Sequence, residues 1–202
     1  SYNHTLARPS FKEKSIAQIF DPISSRTFIG NINLNQTNVI NYDLRWEYFM
    51  NRGELVSVSL FRKQFSGHIE LVPFETAPDN LKPRNSGSST VTGVEFEFRK
   101  RLGFISKKLE NLSLISNLTL VQSKMDMNTV MVSNLNLVEG SLSEYDSRLA
   151  NARDGEEIDQ FRTMTGQSPI MLNLGLNYEN QERGLNASLS YNVKGKTLAI
   201  VG

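Results

Sequence analysis

The sequence contains no cysteine, which excludes disulfide bonds and thiolate metal sites. No run approaches the roughly 18 consecutive apolar residues of a transmembrane helix, which excludes a helical membrane protein. No signal peptide opens the chain, so we expect a secretory leader to be removed or to lie outside this sequence. Lysine plus arginine number 22 against 21 aspartates plus glutamates, so no excess charge indicates nucleic acid or acidic lipid as a partner. Hydrophobic residues make up only 39% of the 202 residues, which predicts a thin core for a compact soluble protein.

Five stretches of about ten residues alternate apolar and polar side chains, the pattern of a β-strand with one apolar and one polar face. Their apolar members are Tyr42, Leu44, Trp46 and Tyr48; Val56, Val58 and Leu60; Val94, Phe96 and Phe98; Leu112, Leu114, Leu118 and Leu120; and Ile170, Leu172, Leu174, Leu176 and Tyr178. The opposite faces carry Asp43, Arg45 and Glu47; Ser57, Ser59, Phe61 and Lys63; Glu95, Glu97 and Arg99; Ser113, Asn117 and Thr119; and Asn173, Gly175, Asn177 and Glu179. Lipid outside and water inside a transmembrane β-barrel require this pattern, and a barrel needs only modest hydrophobicity because every second residue meets lipid.

The links between the predicted strands alternate short with long. Short links lie at Met50–Gly53, Leu102–Leu109 and Glu179–Gly184, and long links span Ser10–Thr37, Val72–Ser88 and Asp126–Gln167. Outer-membrane barrels have short periplasmic turns and long extracellular loops. Structureless links of this length would be unusual in a compact soluble domain. The link lengths therefore favour a barrel wall over a soluble sandwich.

About seven strands are predicted when the opening segment Ser1–Arg8 is included. Bacterial barrels close with an even number of strands, so seven predict a part of a larger wall whose two flanks, Ser1–Arg8 and Leu185–Gly202, are open edges. In the longest link, Leu142, Tyr145, Leu149 and Ala152 have helical spacing. We expect a short helix there, with a capping box from Ser141 to Glu144 and an end near Asp154-Gly155.

One group of charged residues and one group of aromatic residues have both a functional and a structural interpretation. The charged faces around Arg45, Glu97 and Arg99 could line a substrate path or dock another domain, but solvated wall charges that pair across neighbouring strands are the favoured interpretation. Trp46, Tyr48, Phe49, Phe104, Tyr178 and Tyr191 could form the aromatic girdles of a membrane protein.

Catalytic and metal chemistry have little support in the sequence. The two histidines, His4 and His68, have no carboxylates at ligand spacing, and the acidic run 154–159 lacks the ligand pattern of a calcium loop. No Ser/His/Asp set, phosphate loop or nucleophile elbow appears, so neither an enzyme nor a cofactor is predicted.

Beyond the alternation, the amino-acid sequence of the strands resembles that of the C-terminal barrel of TonB-dependent outer-membrane receptors of the Bacteroidetes type. The resemblance rests on the order of several segments that cover nearly the whole chain. They are Ala7–Glu13, Gly30-Asn31 with Leu34, Asn41–Glu47, Gly53–Phe65, Ile69-Glu70, Gly93–Lys100, Asn117–Leu120, Gly166–Pro169 and Tyr191–Lys196.

This resemblance implies an all-β fold: about seven antiparallel strands of an up-and-down transmembrane β-barrel of about 22 strands in full, with long extracellular loops. Residues 1–202 would be one partial barrel region without the plug domain, the TonB-binding segment or the terminal strand of the family. It implies the cell outer membrane as location and import of a nutrient such as a siderophore or glycan as function. The implied partners are outer-membrane lipid, the rest of the barrel and plug domain, the TonB system through the parent chain, and a surface lipoprotein.

The long links are the expected place of ligand contacts, because loops on a rigid frame commonly carry recognition. Their aromatic residues could stack on a sugar or siderophore ring, and the candidates are Phe11, Phe20, Phe28, Phe74 and Tyr145. Two other classes of protein remain open: a non-transporting structural or interaction component of the outer membrane, and a soluble β-rich binding domain.

Overall fold

The computed structural model describes residues 1–51, 53–74, 77–132 and 142–201. The first half of the chain forms β1 (Tyr2–Ala7), α1 (Phe11–Lys14), β2 (Gln18–Asp21), β3 (Arg26–Ile29), β4 (Thr37–Phe49), β5 (Leu55–Ser66), β6 (Ile69–Phe74), β7 (Ala77–Asn85) and β8 (Ser88–Arg101). The second half forms β9 (Leu112–Asp126), β10 (Met131–Val132), β11 (Leu142–Ser143), α2 (Glu144–Ala150), β12 (Phe161–Arg162), β13 (Ile170–Asn180) and β14 (Leu185–Lys194). Short 3₁₀ turns cover Leu102–Phe104, Lys107–Leu109 and Met127–Thr129.

Seven of these strands form the main sheet in the order β1-β4-β5-β8-β9-β13-β14, and β12 pairs with β9 beside this path. All the pairs are antiparallel. The predicted seven antiparallel strands in up-and-down order are therefore confirmed. Within the described residues, β1 pairs only with β4 and β14 only with β13, so the two flanks do not pair with each other.

The register places the predicted apolar positions side by side on one face. Trp46 lies opposite Val58, Val58 opposite Phe96, and Phe96 opposite Leu118. Successive side chains on a strand point to opposite faces, so the polar members of each stretch share the other face. Both predicted faces are confirmed, and Phe49 has the alternation of the polar face rather than that of Trp46 and Tyr48.

The apolar face is open to its surroundings. Of ten residues expected on this face, Leu44, Trp46, Leu60, Phe96 and Leu120 are exposed, while the remaining five are half-buried. Those five are Val58, Phe98, Leu118, Leu174 and Leu176. They lie on inner strands, where neighbouring side chains cover one another. None of the ten packs into a closed core, as a sandwich would require.

The short links lie at one end of the main sheet and the long links at the other. The chain turns at 50–54, 102–111 and 181–184 at one end, and the register pairs Ala7 with Thr37 and Ser66 with Ser88 at the opposite end. Each of these long links leaves and re-enters the main sheet at this end. The segregation of link lengths is therefore confirmed.

The helix of the third link differs from its prediction. α2 covers Glu144–Ala150, and its N-cap is Ser143, whose hydroxyl accepts a hydrogen bond from the backbone N–H of Asp146. The capping box of Ser141 and Glu144 is wrong, because Glu144 is already the first helical residue; Ser141 itself lies outside the described residues. The predicted end near Asp154-Gly155 is also wrong, since Asn151 caps the helix four residues earlier.

The first two long links are more ordered than the sequence indicates. Residues 11–14 form α1, with a capping box between Ser10 and Glu13. β2 and β3 lie in the link Ser10–Thr37, and β6 and β7 occupy most of the link Val72–Ser88. These strands are short and lack a long alternation, so periodicity alone could not reveal them.

Candidate ligand-binding surface

A second sheet covers the long-link end of the molecule, with the strand order β2-β3-β7-β6. β6 and β7 form a hairpin with an irregular register near Pro73. β3 runs parallel to β7 and pairs Thr27 with Asn80 and Phe28 with Leu81. This parallel pairing joins the first two long links into one layer.

Asn85 fixes the first link to the hairpin. Its Oδ1 accepts a hydrogen bond of 2.7 Å from the Asn35 backbone N–H, and its Nδ2 donates to the Asn35 carbonyl at 2.9 Å. The same amide donates to the Gly67 carbonyl at 2.7 Å. Gly67 has φ of +68°, a conformation that glycine adopts without the strain that a Cβ would bring. One side chain thus satisfies backbone groups of two separate segments.

A buried ion network connects the hairpin with the third link. Arg162 of β12 donates to Glu70 of β6 at 2.6 Å and to Glu144 of α2 at 2.7 Å. Arg84 of β7 lies 3.1 Å from Glu144 and 3.5 Å from Glu70. The side chains of Glu70 and Glu144 are 0% and 6% exposed. Buried carboxylates persist only with such compensation, so these ions hold four elements in one arrangement.

The electrostatics keep the central pair charged. Burial by itself would raise the pKa of Glu70, but interactions with His68 and Ser86 and the charge of Arg162 outweigh it and lower the pKa to about 2. His68 Nε2 lies 3.5 Å from the carboxylate. Burial lowers the pKa of Arg162, whereas its hydrogen bond to Glu144 and the charge of Glu70 raise it, and the net direction is upward. Both groups are therefore ionised from weakly acidic to alkaline pH.

A small apolar core packs the third link against the main sheet, on the face opposite its apolar face. Val91 of β8 and Met125 of β9 are buried together with Val130 and Met164 of the third link. The half-buried Phe61, Phe65 and Val121 pack against this cluster. The residues of the main sheet in this cluster alternate with those of the apolar face. The third link therefore lies over the side of the sheet that would face a barrel interior.

Further along the same face, the charged side chains form ion pairs. Arg45 Nη2 lies 2.9 Å from Glu97 and its Nη1 donates to Ser59 at 3.1 Å, so Arg45 reaches across β5 to β8. Arg99 pairs with Glu97 at 3.2 Å. A cleft of about 270 Å³ runs beside them, lined by Asp43, Arg45, Ser59, Phe61, Lys63 and Glu95, with Leu44 and Leu60 at its edge. Pairing across and within strands accounts for the charges of Arg45, Glu97 and Arg99; a role of this face in a substrate path stays a prediction.

Residues 1–200 match the family model described as TonB dependent receptor-like, beta-barrel. The chain belongs to this family. A comparison with curated proteins finds no sequence that matches the chain.

A solved structure has the same fold as this receptor barrel chain. It is the crystal structure of the siderophore receptor PirA from Pseudomonas aeruginosa, with a TM-score of 0.53 and 17% sequence identity. The alignment covers 96% of this chain and 26% of the PirA chain. The chain thus spans about a quarter of the length of the receptor that it resembles. At this identity the likeness concerns the fold alone.

The structure distributes the five aromatic candidates of this receptor chain over five elements. Phe20 lies on β2, Phe28 on β3 and Phe74 on β6, so three of them share the second sheet. Phe28 pairs with Ile19 and Phe20 with Thr27, so Phe20 and Phe28 project from opposite faces. Lysine ammonium groups lie over two rings: Lys12 4.8 Å from the Phe28 centroid and Lys82 4.9 Å from that of Phe74.

The other two candidates lie on helices. Phe11 is the first residue of α1 and is 91% exposed. Tyr145 lies on α2 and is half-buried. The five side chains therefore do not form one continuous aromatic surface, and only Phe11 and Phe20 are largely exposed. Ligand contact by any of them stays a prediction.

The sequence analysis missed the ion network. The local signal is the alternation of His68, just before β6, with Glu70 and Val72 on β6, and all three residues are buried. Nothing in the sequence names Arg162, 92 residues later, as the partner of Glu70. Pairing at this separation is decided by how the links stack on the sheet.

The described residues offer little for a metal centre. His4 lies on β1 and His68 precedes β6. Within the described ranges, no three side chains of His, Asp or Glu come together as a group that could hold a metal ion. No helix of the described chain is long and apolar enough to cross a membrane.

Proposed function

We propose that this chain is the late-barrel wall of an outer-membrane receptor that imports a scarce nutrient, such as a siderophore or a glycan. One observation carries the proposal: the main sheet exposes an apolar face while its opposite, charged face is covered at one end by ordered links. An apolar outer face suits lipid, and a polar inner face suits a plugged, hydrated lumen. Family membership supports a receptor rather than an enzyme.

The proposal includes a division of labour among parts of a longer assembly. Residues 1–202 would form one partial barrel region in the cell outer membrane, bounded by lipid on its apolar face. Import would need the rest of the barrel, a plug domain and the TonB system. A surface lipoprotein could close the long-link end. The sequence segments that resemble the family support a receptor of the Bacteroidetes type.

Ligand contacts are proposed at the second sheet and α1. Phe20 and Phe11 are 62% and 91% exposed at this end, and an exposed ring is available to stack on a sugar or on an aromatic chelator. The layer that carries them is fixed by Asn85 and by the ion network, so it is a rigid platform. A preorganised platform binds more tightly than a mobile loop, because less conformational entropy is lost.

Growth assays with the full-length receptor test this function. A strain that depends on the receptor is supplied with a panel of ferric siderophores or oligosaccharides as sole iron or carbon source. F11A and F20A should reduce uptake of the imported compound at least tenfold at an unchanged level of receptor in the outer membrane. The matched control is F104A, because Phe104 is 67% exposed at the short-link end. An equal loss in all three variants, or in none, contradicts the proposed binding surface.

Fractionation tests the wall assignment against the other classes of protein. A barrel wall should be recovered with the outer membrane and released only by detergent. Recovery from the aqueous fraction would favour the soluble β-rich binding domain. Membrane recovery without any uptake phenotype would favour a structural component of the outer membrane.

A further inference from the structure

A cleft opens beside β9, where the main sheet changes its pairing. β13 pairs with β9 as far as Ile170 and Leu120, and β12 pairs with β9 again at Met125. Between these points the segment 163–169 is hydrogen-bonded to β9 through Pro169, whose carbonyl accepts from Val121 N–H, and Met164, whose N–H donates to Ser123 Oγ. The cleft has a volume of about 330 Å³, and Gln122, Lys124, Phe161, Gln167 and Lys196 are among its lining residues.

The lining is cationic. Three cations, Lys124, Lys196 and Arg162, face one acid, Asp159. Arg162 is engaged by Glu70 and Glu144, and the Asp159 carboxylate accepts a hydrogen bond from the Phe161 N–H. Among the described residues, no carboxylate forms an ion pair with Lys124 or Lys196, both of which are exposed. The Lys124 ammonium lies 5.9 Å from the centroid of the Phe161 ring, which holds it at the cleft.

The position of the cleft along the membrane normal places it near the lipid headgroups. Lys124 and Gln122 share the strand face of Leu118 and Leu120, since side chains alternate along β9. On β5, β8 and β9 the apolar face ends at the row of Leu120, and the next row carries Arg62, Thr92 and Gln122, with Tyr42 of β4 beside Arg62. Four residues separate Leu120 from Lys124, or roughly 13 Å along the strand and roughly 10 Å along the membrane normal at the usual tilt. That height is at or just beyond the headgroup layer, within reach of a flexible lysine.

We propose that this cleft binds the phosphate-bearing headgroup of an outer-leaflet lipid. Lys124 and Lys196 supply the ammonium groups, and Gln122 and Gln167 supply neutral hydrogen-bond donors. The Phe161 ring, 43% exposed, lies at the rim. The lipid's acyl chains then run down the apolar face past Leu120 and Leu118. This inference rests on the proposed outer-membrane function and names one lipid contact of that wall.

Lipid binding by the full-length receptor tests the proposal. The receptor is purified in a neutral detergent and titrated with lipid A, a glycolipid that carries two phosphates, and the bound lipid is counted by native mass spectrometry. K124Q/K196Q should weaken lipid A binding at least tenfold. K107Q/K108Q is the matched control, because it removes two exposed lysines at the short-link end, and it should bind as the wild type does. A large excess of inorganic phosphate should not displace the lipid.

The outcomes separate the two levels of the proposal. A receptor that inserts into vesicles but binds lipid A equally with and without Lys124 and Lys196 overturns the headgroup site alone. Displacement of lipid A by this excess of inorganic phosphate would identify a free-anion site and overturn the lipid assignment. A receptor that does not insert overturns the proposed function and the headgroup site together.

Discussion

Arg162 donates a 2.6 Å hydrogen bond to Glu70, 92 residues earlier in the sequence. The bond joins β12 of the third link to β6 of the second sheet, and both side chains are buried, at 10% and 0% exposure. Glu144 accepts from the same guanidinium, so one arginine connects two carboxylates on two elements. The architecture of the long-link end thus depends on a few charges, whereas the main sheet depends on its backbone ladder.

Neutralising Glu70 should loosen the links without unfolding the sheet. E70Q leaves Arg84 and Arg162 with less compensating charge in a buried site, which should cost about 3 kcal/mol of the stability of the link layer. Hydrogen exchange in α2 and β12 should become faster, while exchange in β5 and β8 stays slow. E97Q is the control, because the half-exposed pairs of Glu97 should contribute less than about 1 kcal/mol. Unchanged exchange in E70Q would show that the network does not hold the layer.

The same network predicts how the link layer responds to acid. The pKa of Glu70 is lowered from 4.5 to about 2, so its contribution is complete above pH 4.5 and is lost as the pH falls towards 2. The loss amounts to about 3 kcal/mol. Protection of α2 should be constant from pH 7 to pH 5 and fall below pH 4.5. A fall centred near pH 6 would show that ionisation of Glu70 does not control the layer.

Charges on the two faces of the main sheet should have unequal effects. L118K and L174K each place an ammonium group on the lipid side and should destabilise the barrel by roughly 2–4 kcal/mol near the bilayer midplane. N117K and N173K place the same group on the opposite face and should cost far less. The free energy of folding into vesicles measures the difference. Equal effects on both faces would contradict the assigned orientation.

Gly93 and Gly175 both lie on the face of the main sheet opposite its apolar face, and they provide a matched pair of substitutions. A Cβ on Gly93 would overlap the Phe61 ring and lie 2.7 Å from the Leu120 carbonyl oxygen. G93A should therefore cost about 1–3 kcal/mol. A Cβ on Gly175 meets nothing closer than 3.8 Å, from Ile115, so G175A should be neutral or stabilise by up to about 1 kcal/mol. Denaturant titration of each variant distinguishes the two glycines, and equal losses would refute the close approach of Phe61.

The absence of cysteine in this chain allows the sidedness of the links to be measured. A single cysteine in D154C lies in an exposed part of the third link, and one in Q181C lies in the short turn between β13 and β14. On intact cells, a membrane-impermeant maleimide should label D154C and spare Q181C, because long links are extracellular and short turns periplasmic. Labelling of Q181C alone would reverse the topology.

Among the candidate site residues, the sequence located the long links but not their architecture. Phe11 and Phe20 are exposed at the expected end, yet Phe20 and Phe28 project from opposite faces of a sheet that no periodicity predicts. β2 and β3 have four residues each, too few for an alternation to stand out. The parallel pairing of β3 with β7 joins residues 53 positions apart, such as Thr27 with Asn80, and no local pattern encodes a partner.

The sequence by itself determined the wall. Side chains alternate with period two along a strand, so Leu44, Trp46 and Leu60 share one face regardless of the rest of the chain. The short links allow only antiparallel pairing of the strands that they join. The tertiary structure alone decided the long-link end. Which carboxylate meets Arg162, which carbonyls Asn85 bonds and where the cleft beside Lys124 opens depend on contacts between distant segments. Such contacts follow from packing and desolvation in the assembled molecule rather than from any local preference of the chain.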